Sequence, residues 1–293
     1  MNESYIRVWS MDGSPLTSPN DNPDAQPSSS RRLVGHSGPV TAVAFSPSTA
    51  NPYPSGPPTN SECLLSCSED KTVRLWSLDT YTCLVAYRGH DNPVWDLQWG
   101  PYGHYFLTGS NDRTARLWST DHIEPLRIYV GHDNDVDCVA FHPTISTYLP
   151  ALATARTLAS ADDAGNIILW TLETGRRRKR MRGHGKGGIW SLSWSVESSV
   201  LVSAGADKTV RVWDVLQETS DKAADGVAAK ADGAMTTKGA SGTTVTGKKA
   251  NKEAGGSADQ ISVFPTKDSP VYKVQFTRMN LVLAGGAYLP TRQ

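Results

Sequence analysis

No sign of charge dominates this sequence: 29 Lys and Arg stand against 29 Asp and Glu among 293 residues. A balanced chain has no general attraction to nucleic acid or to an acidic membrane surface, so direct DNA binding is not expected. Cysteine is scarce. Four in a chain of this length are too few for a disulfide framework. Cys63 and Cys67 fall on or beside one strand and Cys83 and Cys138 in others, so they read as the buried, reduced thiols of a nuclear or cytosolic protein. Long apolar runs are missing too, and no stretch approaches the roughly 18 residues that span a bilayer. The first 30 residues contain no apolar core of a secretory signal. A nucleophile elbow, a glycine-rich phosphate loop and metal-ligand spacings are likewise absent. The expectation is a protein that is not an enzyme, with no cofactor, no metal and no small-molecule substrate.

What the sequence does have is repetition. Four short apolar segments end in tryptophan: Lys71-Thr-Val-Arg-Leu-Trp76, Arg113-Thr-Ala-Arg-Leu-Trp118, Gly165-Asn-Ile-Ile-Leu-Trp170 and Lys208-Thr-Val-Arg-Val-Trp213. Upstream stand Gly35-His36, Gly89-His90, Gly131-His132 and Gly183-His184. A unit that recurs about every 40 to 50 residues, opened by Gly-His and ending in Trp-Asp or Trp-Ser, reads as a blade of a β-propeller. Such a blade cannot bury both faces alone, so the repeats must stack. The Trp-terminated segments are strand c. Strand a covers 40–45, 94–99, 136–141 and 189–194, and ends in Phe45, Trp99, Phe141 and Trp194. Strand b covers 64–68, 105–109, 157–161 and 201–205, and strand d 83–88, 126–130 and 178–182. Apolar side chains point both ways in strands a to c, as in sheets packed between two neighbours.

Counting back from each tryptophan, a hydroxyl stands ten residues earlier (Ser66, Thr108, Ser160, Ser203). Six residues earlier stand Asp70, Asp112, Ala164 and Asp207. His, Ser or Thr, and Asp together could suggest a hydrolase triad. Four copies of one triad make odd chemistry, whereas four copies of a structural staple are what a repeat needs. The set His36, Ser66, Asp70 and Trp76, and its equivalents His90, Thr108, Asp112 and Trp118, then His132, Ser160 and Trp170, then His184, Ser203, Asp207 and Trp213, is read as buried polar links. The blade holding Ala164 is expected to lack the carboxylate.

The chain begins and ends inside blades. Residues 5–9 look like strand c and 31–34 like strand d, while 271–276 and 281–285 look like strands a and b. Ring closure would join them in one composite blade and remove the exposed edges. Three stretches stand outside the repeat. Residues 11–30 and 48–60 are rich in Pro, Ser and Asn and should be irregular. Residues 217–258, a run of Ala, Gly, Thr, Lys and Asp without aromatics, read as a disordered insertion between strands c and d. The remainder, at about 44 residues per blade, makes about five blades of one domain spanning 1–293.

Finer strings go further than the repeat. Glu3-Ser-Tyr-Ile-Arg-Val-Trp-Ser10, Val34-Gly-His-Ser-Gly-Pro-Val40 and Ser68-Glu-Asp-Lys-Thr-Val-Arg-Leu-Trp-Ser-Leu78 are three of them. Pro93-Val-Trp-Asp96, Asp121-His-Ile-Glu-Pro-Leu-Arg127, Met181-Arg-Gly-His-Gly-Lys186 and Asn280-Leu-Val-Leu-Ala-Gly-Gly286 are the others. Together they resemble the WD-repeat TBP-associated factors, the fifth-numbered subunit shared by TFIID and SAGA, of the fungal type. The resemblance runs along nearly the whole chain outside the loops. It implies a non-catalytic scaffold in the RNA polymerase II initiation machinery, located in the nucleus, with histone-fold TBP-associated factors and other TFIID or SAGA subunits as partners. That family looks seven-bladed and carries a long amino-terminal region. This sequence starts inside a blade, and between His142-Pro143 and Arg156-Thr157 it is about one blade short.

A different class of interaction protein is the generic WD-repeat adaptor, such as a substrate receptor of a cullin-type ubiquitin ligase. Many such receptors carry Trp-Asp-x-Arg after strand c. Trp213-Asp-Val-Leu216, Trp76-Ser-Leu-Asp79, Trp118-Ser-Thr-Asp121 and Trp170-Thr-Leu-Glu173 all lack that Arg. Two surface features remain. Arg176-Arg-Arg-Lys-Arg180 reads first as a solvated edge strand, with nuclear import and phosphate contact as alternatives. Four residues before each strand-a aromatic stand Thr41, Trp95, Asp137, Trp190 and Tyr272. By strict alternation this position shares the face of the core aromatic near the strand's start, and it is the candidate protein-binding rim of the central channel.

Overall fold

The computed structural model describes residues 4–18, 21, 28–47, 62–100, 103–143, 157–185, 187–197, 199–216, 257–266, 269–277 and 279–286. Among these every regular element is a strand. Four antiparallel four-stranded sheets follow one another along the chain. The first is β3 (Val40–Phe45), β4 (Cys63–Ser68), β5 (Val73–Ser77) and β6 (Thr82–Tyr87). The second is β7 (Val94–Trp99), β8 (Tyr105–Ser110), β9 (Thr114–Ser119) and β10 (Arg127–Val130). The third is β11 (Val136–Phe141), β12 (Thr157–Asp162), β13 (Asn166–Thr171) and β14 (Arg177–Arg182). The fourth is β15 (Ile189–Trp194), β16 (Val200–Gly205), β17 (Thr209–Asp214) and β18 (Gln260–Pro265). Two-stranded sheets stand at either end, β1 (Tyr5–Trp9) with β2 (Ser30–Val34) and β19 (Val271–Phe276) with β20 (Val282–Gly286). This is the all-β propeller-like architecture of about five blades that the repeat implied.

Strands β3, β7, β11, β15 and β19 run side by side, each beside the next. The core lies between sheets. Cys63, Leu65 and Leu75 of the first blade pack against Leu97, Trp99, Phe106 and Trp118 of the second. The same wedge recurs where Leu107, Ala115 and Leu117 meet Val136, Val139 and Leu158, and again where Ala140, Ala159 and Ala161 meet Leu192, Trp194 and Leu201. The b–c turns are tight because one residue in each takes a left-handed conformation: Lys71 (φ 69°), Arg113 (φ 66°), Lys208 (φ 62°) and, in the third blade, Gly165 (φ 79°).

Closure departs from expectation. Among the described residues, β1–β2 and β19–β20 form two separate sheets and no composite one, and β20 is exposed along its whole length. Each half-blade is held instead by its own neighbour. Val271 and Val274 are buried against Val202, Ala204 and Val210, while Ile6, Val8 and Leu33 pack on Leu64 and Trp76. Exposure therefore falls on Val43 and Phe45 of β3 and on Val282 and Leu283 of β20, rather than on Val8 and Val274. The described part of 11–30 is irregular up to Ser30, which opens β2, and is tied down by Arg31, which pairs with Asp21 and donates to the Leu16 carbonyl at 2.8 Å. Residues 48–61 and 217–256 lie outside the described residues. The long insertion does separate strands c (β17) and d (β18).

Candidate functional site: the blade staples and the bulged strand starts

In each full blade four side chains meet from four segments. Trp76 Nε1–H donates to Ser66 Oγ at 2.8 Å, Ser66 Oγ lies 2.8 Å from His36 Nε2, and His36 Nδ1 lies 2.9 Å from Asp70 Oδ2. The second blade repeats this with Trp118–Thr108 at 2.9 Å, Thr108–His90 at 2.7 Å and His90–Asp112 at 2.6 Å. The fourth has Trp213–Ser203 at 2.7 Å, Ser203–His184 at 2.5 Å and His184–Asp207 at 2.9 Å. Burial pushes His36, His90 and His184 below the ordinary histidine value, against the pull of their aspartates. Each imidazole is then neutral near pH 7. It donates from Nδ1 to the carboxylate and accepts at Nε2 from the hydroxyl, whose oxygen accepts from the indole. Burial alone would raise Asp70, yet the Thr72 hydroxyl, the Ser37 N–H and His36 hold it at about 2. The same balance lowers Asp112 and Asp207.

The connectivity is that of a hydrolytic triad, but the hydroxyl oxygens are fully buried beneath tryptophan and already accept a hydrogen bond. What the arrangement does is fasten the chain ahead of strand a, strand b, the b–c turn and strand c to one another. The third blade corrects the expectation for Ala164. There His132 Nδ1 lies 2.8 Å from Asp162 Oδ2, with His132–Ser160 at 2.6 Å and Trp170–Ser160 at 2.8 Å. Asp162 stands eight residues before Trp170, where the other blades have Ser68, Ser110 and Gly205. Its carboxylate also accepts from the Asn166 backbone at 2.8 Å, so a fully buried Asp does the turn's work from the strand side.

The five rim candidates share a feature that alternation hides. Every strand a has a register shift at this position, between Val40 and Ala42, Val94 and Asp96, Val136 and Cys138, Ile189 and Ser191, and Val271 and Lys273. Thr41, Trp95, Asp137, Trp190 and Tyr272 are thus bulge residues that step out of the ladder. Counting alternate residues back from Phe45 or Trp99 reaches positions 41 and 95 by number, but the extra residue at the bulge breaks the alternation, so a shared face does not follow from the count. Their surroundings differ. Thr41 Oγ1 donates to the Val94 carbonyl at 2.5 Å and so links two blades. Trp190 and Tyr272 stack with ring centres 5.1 Å apart and planes within 9°. Trp95 is half-buried and Tyr272 is exposed. Burial and the neighbouring Asp163 and Asp135 push the Asp137 carboxyl up to about 7.

One set of functional side chains went unseen in the sequence. Asp96 and Gln98 accept from the backbone N–H groups of Val139 and Phe141 at 3.0 and 2.6 Å, and Ser191 and Ser193 accept from Val274 and Phe276 at 3.1 and 3.0 Å. These are inter-blade links, and their signal was polar residues at every second place of an otherwise apolar strand a. The basic run also differs from a solvated edge. Lys179 pairs with Asp259 at 2.7 Å, both buried; Arg180 pairs with Asp133 at 2.9 Å; Arg178 donates to Thr157 at 2.8 Å. Asp259 lies at the return of the long insertion, where Ser257 N–H also donates to the Arg182 carbonyl at 2.7 Å.

Repeated four-stranded blades, a His–hydroxyl–Asp–Trp link in each, and bulged inner strands define a repeat-built propeller of the scaffold class. The model of the WD domain, G-beta repeat, matches residues 27–77, 81–119, 123–171 and 175–214. The chain belongs to the WD40-repeat family. It is 32% identical over 199 residues to the nuclear distribution protein PAC1 of Coccidioides posadasii, covering 64% of this chain and 41% of that protein. It is 30% identical over 184 residues to transcription initiation factor TFIID subunit 5 of Caenorhabditis elegans, covering 63% and 25%. Over 85 residues it is 46% identical to the SAGA complex/transcription factor TFIID complex subunit Taf5 of Schizosaccharomyces pombe, covering 29% and 11%. The chain thus spans less than half the length of these relatives. The WD40 β-propeller domain of Doa1 superposes with a TM-score of 0.56 at 19% identity, over 87% of this chain and 63% of that one, a likeness of fold alone.

Proposed function

We propose that this chain is a non-catalytic interaction scaffold of the RNA polymerase II initiation machinery, acting in the nucleus as a propeller subunit of TFIID and SAGA type. The observation that carries the reading is the density of the match to the Schizosaccharomyces pombe Taf5, where nearly half of 85 residues are identical, well above the third found against PAC1. The mechanism is rigid display: stapled blades hold loops and strand starts in fixed relation, and partners dock on that surface. Histone-fold TBP-associated factors and other subunits of those assemblies are the partners this reading names. The bulge residues Trp95, Asp137, Trp190 and Tyr272 are the proposed contact points, because aromatic side chains with polar tips anchor interfaces well. Thr41 serves them as an inter-blade tie.

A second reading, a PAC1-like adaptor in nuclear distribution, is favoured by the greater length of that match, 199 residues. Affinity purification of the tagged chain followed by mass spectrometry separates the two. Recovery of TFIID and SAGA subunits supports the first, and their absence beside nuclear-distribution proteins overturns it. Trp95→Ala and Trp190→Ala, checked for folding by circular dichroism, should each reduce recovery of those subunits. Unchanged recovery with both would remove this rim as the contact surface.

A further inference from the structure

Two of the inner strands are spelled alike. Val94-Trp-Asp-Leu-Gln-Trp99 of β7 and Ile189-Trp-Ser-Leu-Ser-Trp194 of β15 both run Trp, polar, Leu, polar, Trp. Each is stitched to the next inner strand in the same register. Asp96 and Gln98 accept from the N–H groups of Val139 and Phe141, and Ser191 and Ser193 from those of Val274 and Phe276. The β7–β11 and β15–β19 seams therefore present equivalent pairs of bulge residues, Trp95 with Asp137 and Trp190 with Tyr272. At the second seam the tryptophan has a ring against it, with centres 5.1 Å apart and planes within 9°. At the first, a short carboxylate stands where the phenol ring would be. Trp95 is half-buried, and among the described residues no ring and no cation lies over it.

The carboxylate side of that seam is short of positive charge. Among the described residues no Lys or Arg pairs with Asp137 or Asp163. Their carboxylates converge on the turn ahead of β15: a β-carbon at Gly188 would stand 2.8 Å from both Asp137 Oδ2 and Asp163 Oδ1. Gly188 has φ 83°, so the turn itself selects the residue that leaves this gap open. Asp135 is close by, its carboxylate accepting from the Asn111 amide. Burial, then Asp163, Asp135 and Asp162, are what hold the Asp137 carboxyl near 7. A cation arriving from outside would relieve that repulsion. The seam thus offers an unstacked indole beside uncompensated negative charge.

We propose that the β7–β11 seam receives an arginine side chain of a protein partner, its guanidinium lying on Trp95 as the Tyr272 ring lies on Trp190, and donating to the Asp137 carboxylate. The proposal rests on the reading of the bulged strand starts as the partner surface and names the chemistry of one place on it. A partner's aromatic ring could also lie on Trp95, but it would leave Asp137 uncompensated. Arginine is favoured over lysine because its planar fork stacks on an aromatic face and meets a carboxylate with two N–H groups at once. Asp163, aimed at the same glycine, offers a further acceptor. The β15–β19 seam is not a second such place, since its tryptophan already carries a ring and its bulges carry no carboxylate.

The probe is a capped peptide with a single arginine between glycines, offered to the full chain and followed by broadening of the arginine δ-methylene resonance. Matched peptides carrying citrulline or lysine serve as the uncharged and the point-charge controls. The arginine peptide should bind, the lysine peptide more weakly, and the citrulline peptide at least tenfold more weakly. Asp137→Asn, which keeps the side chain's shape, and Trp95→Ala should each weaken arginine binding at least tenfold. Asp137→Tyr rebuilds the filled seam and should abolish binding with the circular dichroism spectrum unchanged, while Trp190→Ala should change it less than about twofold. No binding of the arginine peptide, equal binding of the citrulline peptide, or binding untouched by Asp137→Asn would overturn the proposal. Loss of TFIID and SAGA subunits from Trp95→Ala would then still uphold the wider reading of the surface. Arginine binding by a chain that recovers none of those subunits would uphold the pocket and overturn the assembly assignment instead.

Discussion

In the second blade Trp118 is buried, and its indole N–H reaches Thr108; in the half-blade at the start of the chain Trp9, at the same place in strand c, is 61% exposed. The two tryptophans end similar strands, Thr-Ala-Arg-Leu-Trp and Tyr-Ile-Arg-Val-Trp. What separates them is the set of groups around the strand. Trp118 has a hydroxyl beside it, a histidine under it and an aspartate behind the histidine, all within one blade. Among the described residues Trp9 has only β2 as a paired strand, and the guanidinium carbon of Arg7 is 5.7 Å from its ring. The comparison teaches that a WD strand is not enough to make a blade. The polar chain must be complete before the indole can be buried with its donor satisfied.

The largest effect is expected just outside that polar chain, at a buried ion pair that fastens the fourth blade's outer strand to the third. Lys179→Ala leaves Asp259 buried without its cation and should cost about 3–5 kcal/mol, read by urea unfolding. A cost below about 1 kcal/mol would return the basic run to the role of a solvated edge. Next come the staples. Asp162→Ala should destabilise by about 1–3 kcal/mol, on the scale of Asp112→Ala or His90→Ala, because each strands a buried polar partner. Ala164→Gly should cost less, and equal losses at 162 and 164 would contradict the assignment of Asp162 as the third carboxylate.

Acidification probes the same set collectively. His36, His90 and His184 have folded values depressed below the unfolded one near 6.5, so the unfolded chain takes up protons first. Stability should therefore fall as pH drops below about 6.5, and fall again below about 4 as the depressed aspartates, Asp70 among them at about 2, protonate more readily in the unfolded chain. Melting temperature followed from pH 8 to pH 4 checks this, and a flat profile would oppose neutral, buried imidazoles. Asp137 has the opposite sign: its raised carboxyl opposes folding as pH climbs from about 4 to 7, so Asp137→Asn should be modestly stabilising at pH 7. The smallest effect belongs to the half-blades. Leu283→Lys should change unfolding by no more than about 0.5 kcal/mol at dilute protein, since that side chain is exposed.

Much of the fold was legible because the repeat marks itself. Gly-His, the hydroxyl, Asp and Trp recur at fixed offsets, and a sheet buried on both faces shows apolar residues in both parities. The third carboxylate was not legible, because Asp162 and Ala164 exchange duties across a turn whose left-handed residue, Gly165, stays in place. The bulges were not legible either. Nothing in Val-Trp-Asp-Leu or Ile-Trp-Ser-Leu announces an extra residue, and the alternation argument failed for that reason. Strand content offered a composite closing blade but left closure open, because edges pair only where packing on both sides brings them together.

Hydrogen–deuterium exchange, resolved by peptide, tests the central claim that stapled blades are tight and the unstapled half-blades are the weak part of the molecule. At dilute protein, peptides over Tyr5–Trp9 and Val282–Gly286 should exchange well before those over Tyr105–Ser110, Thr157–Asp162 and Val200–Gly205. Equal, slow exchange in all five would mean that the half-blades are as firmly closed as the rest, and the account would be wrong.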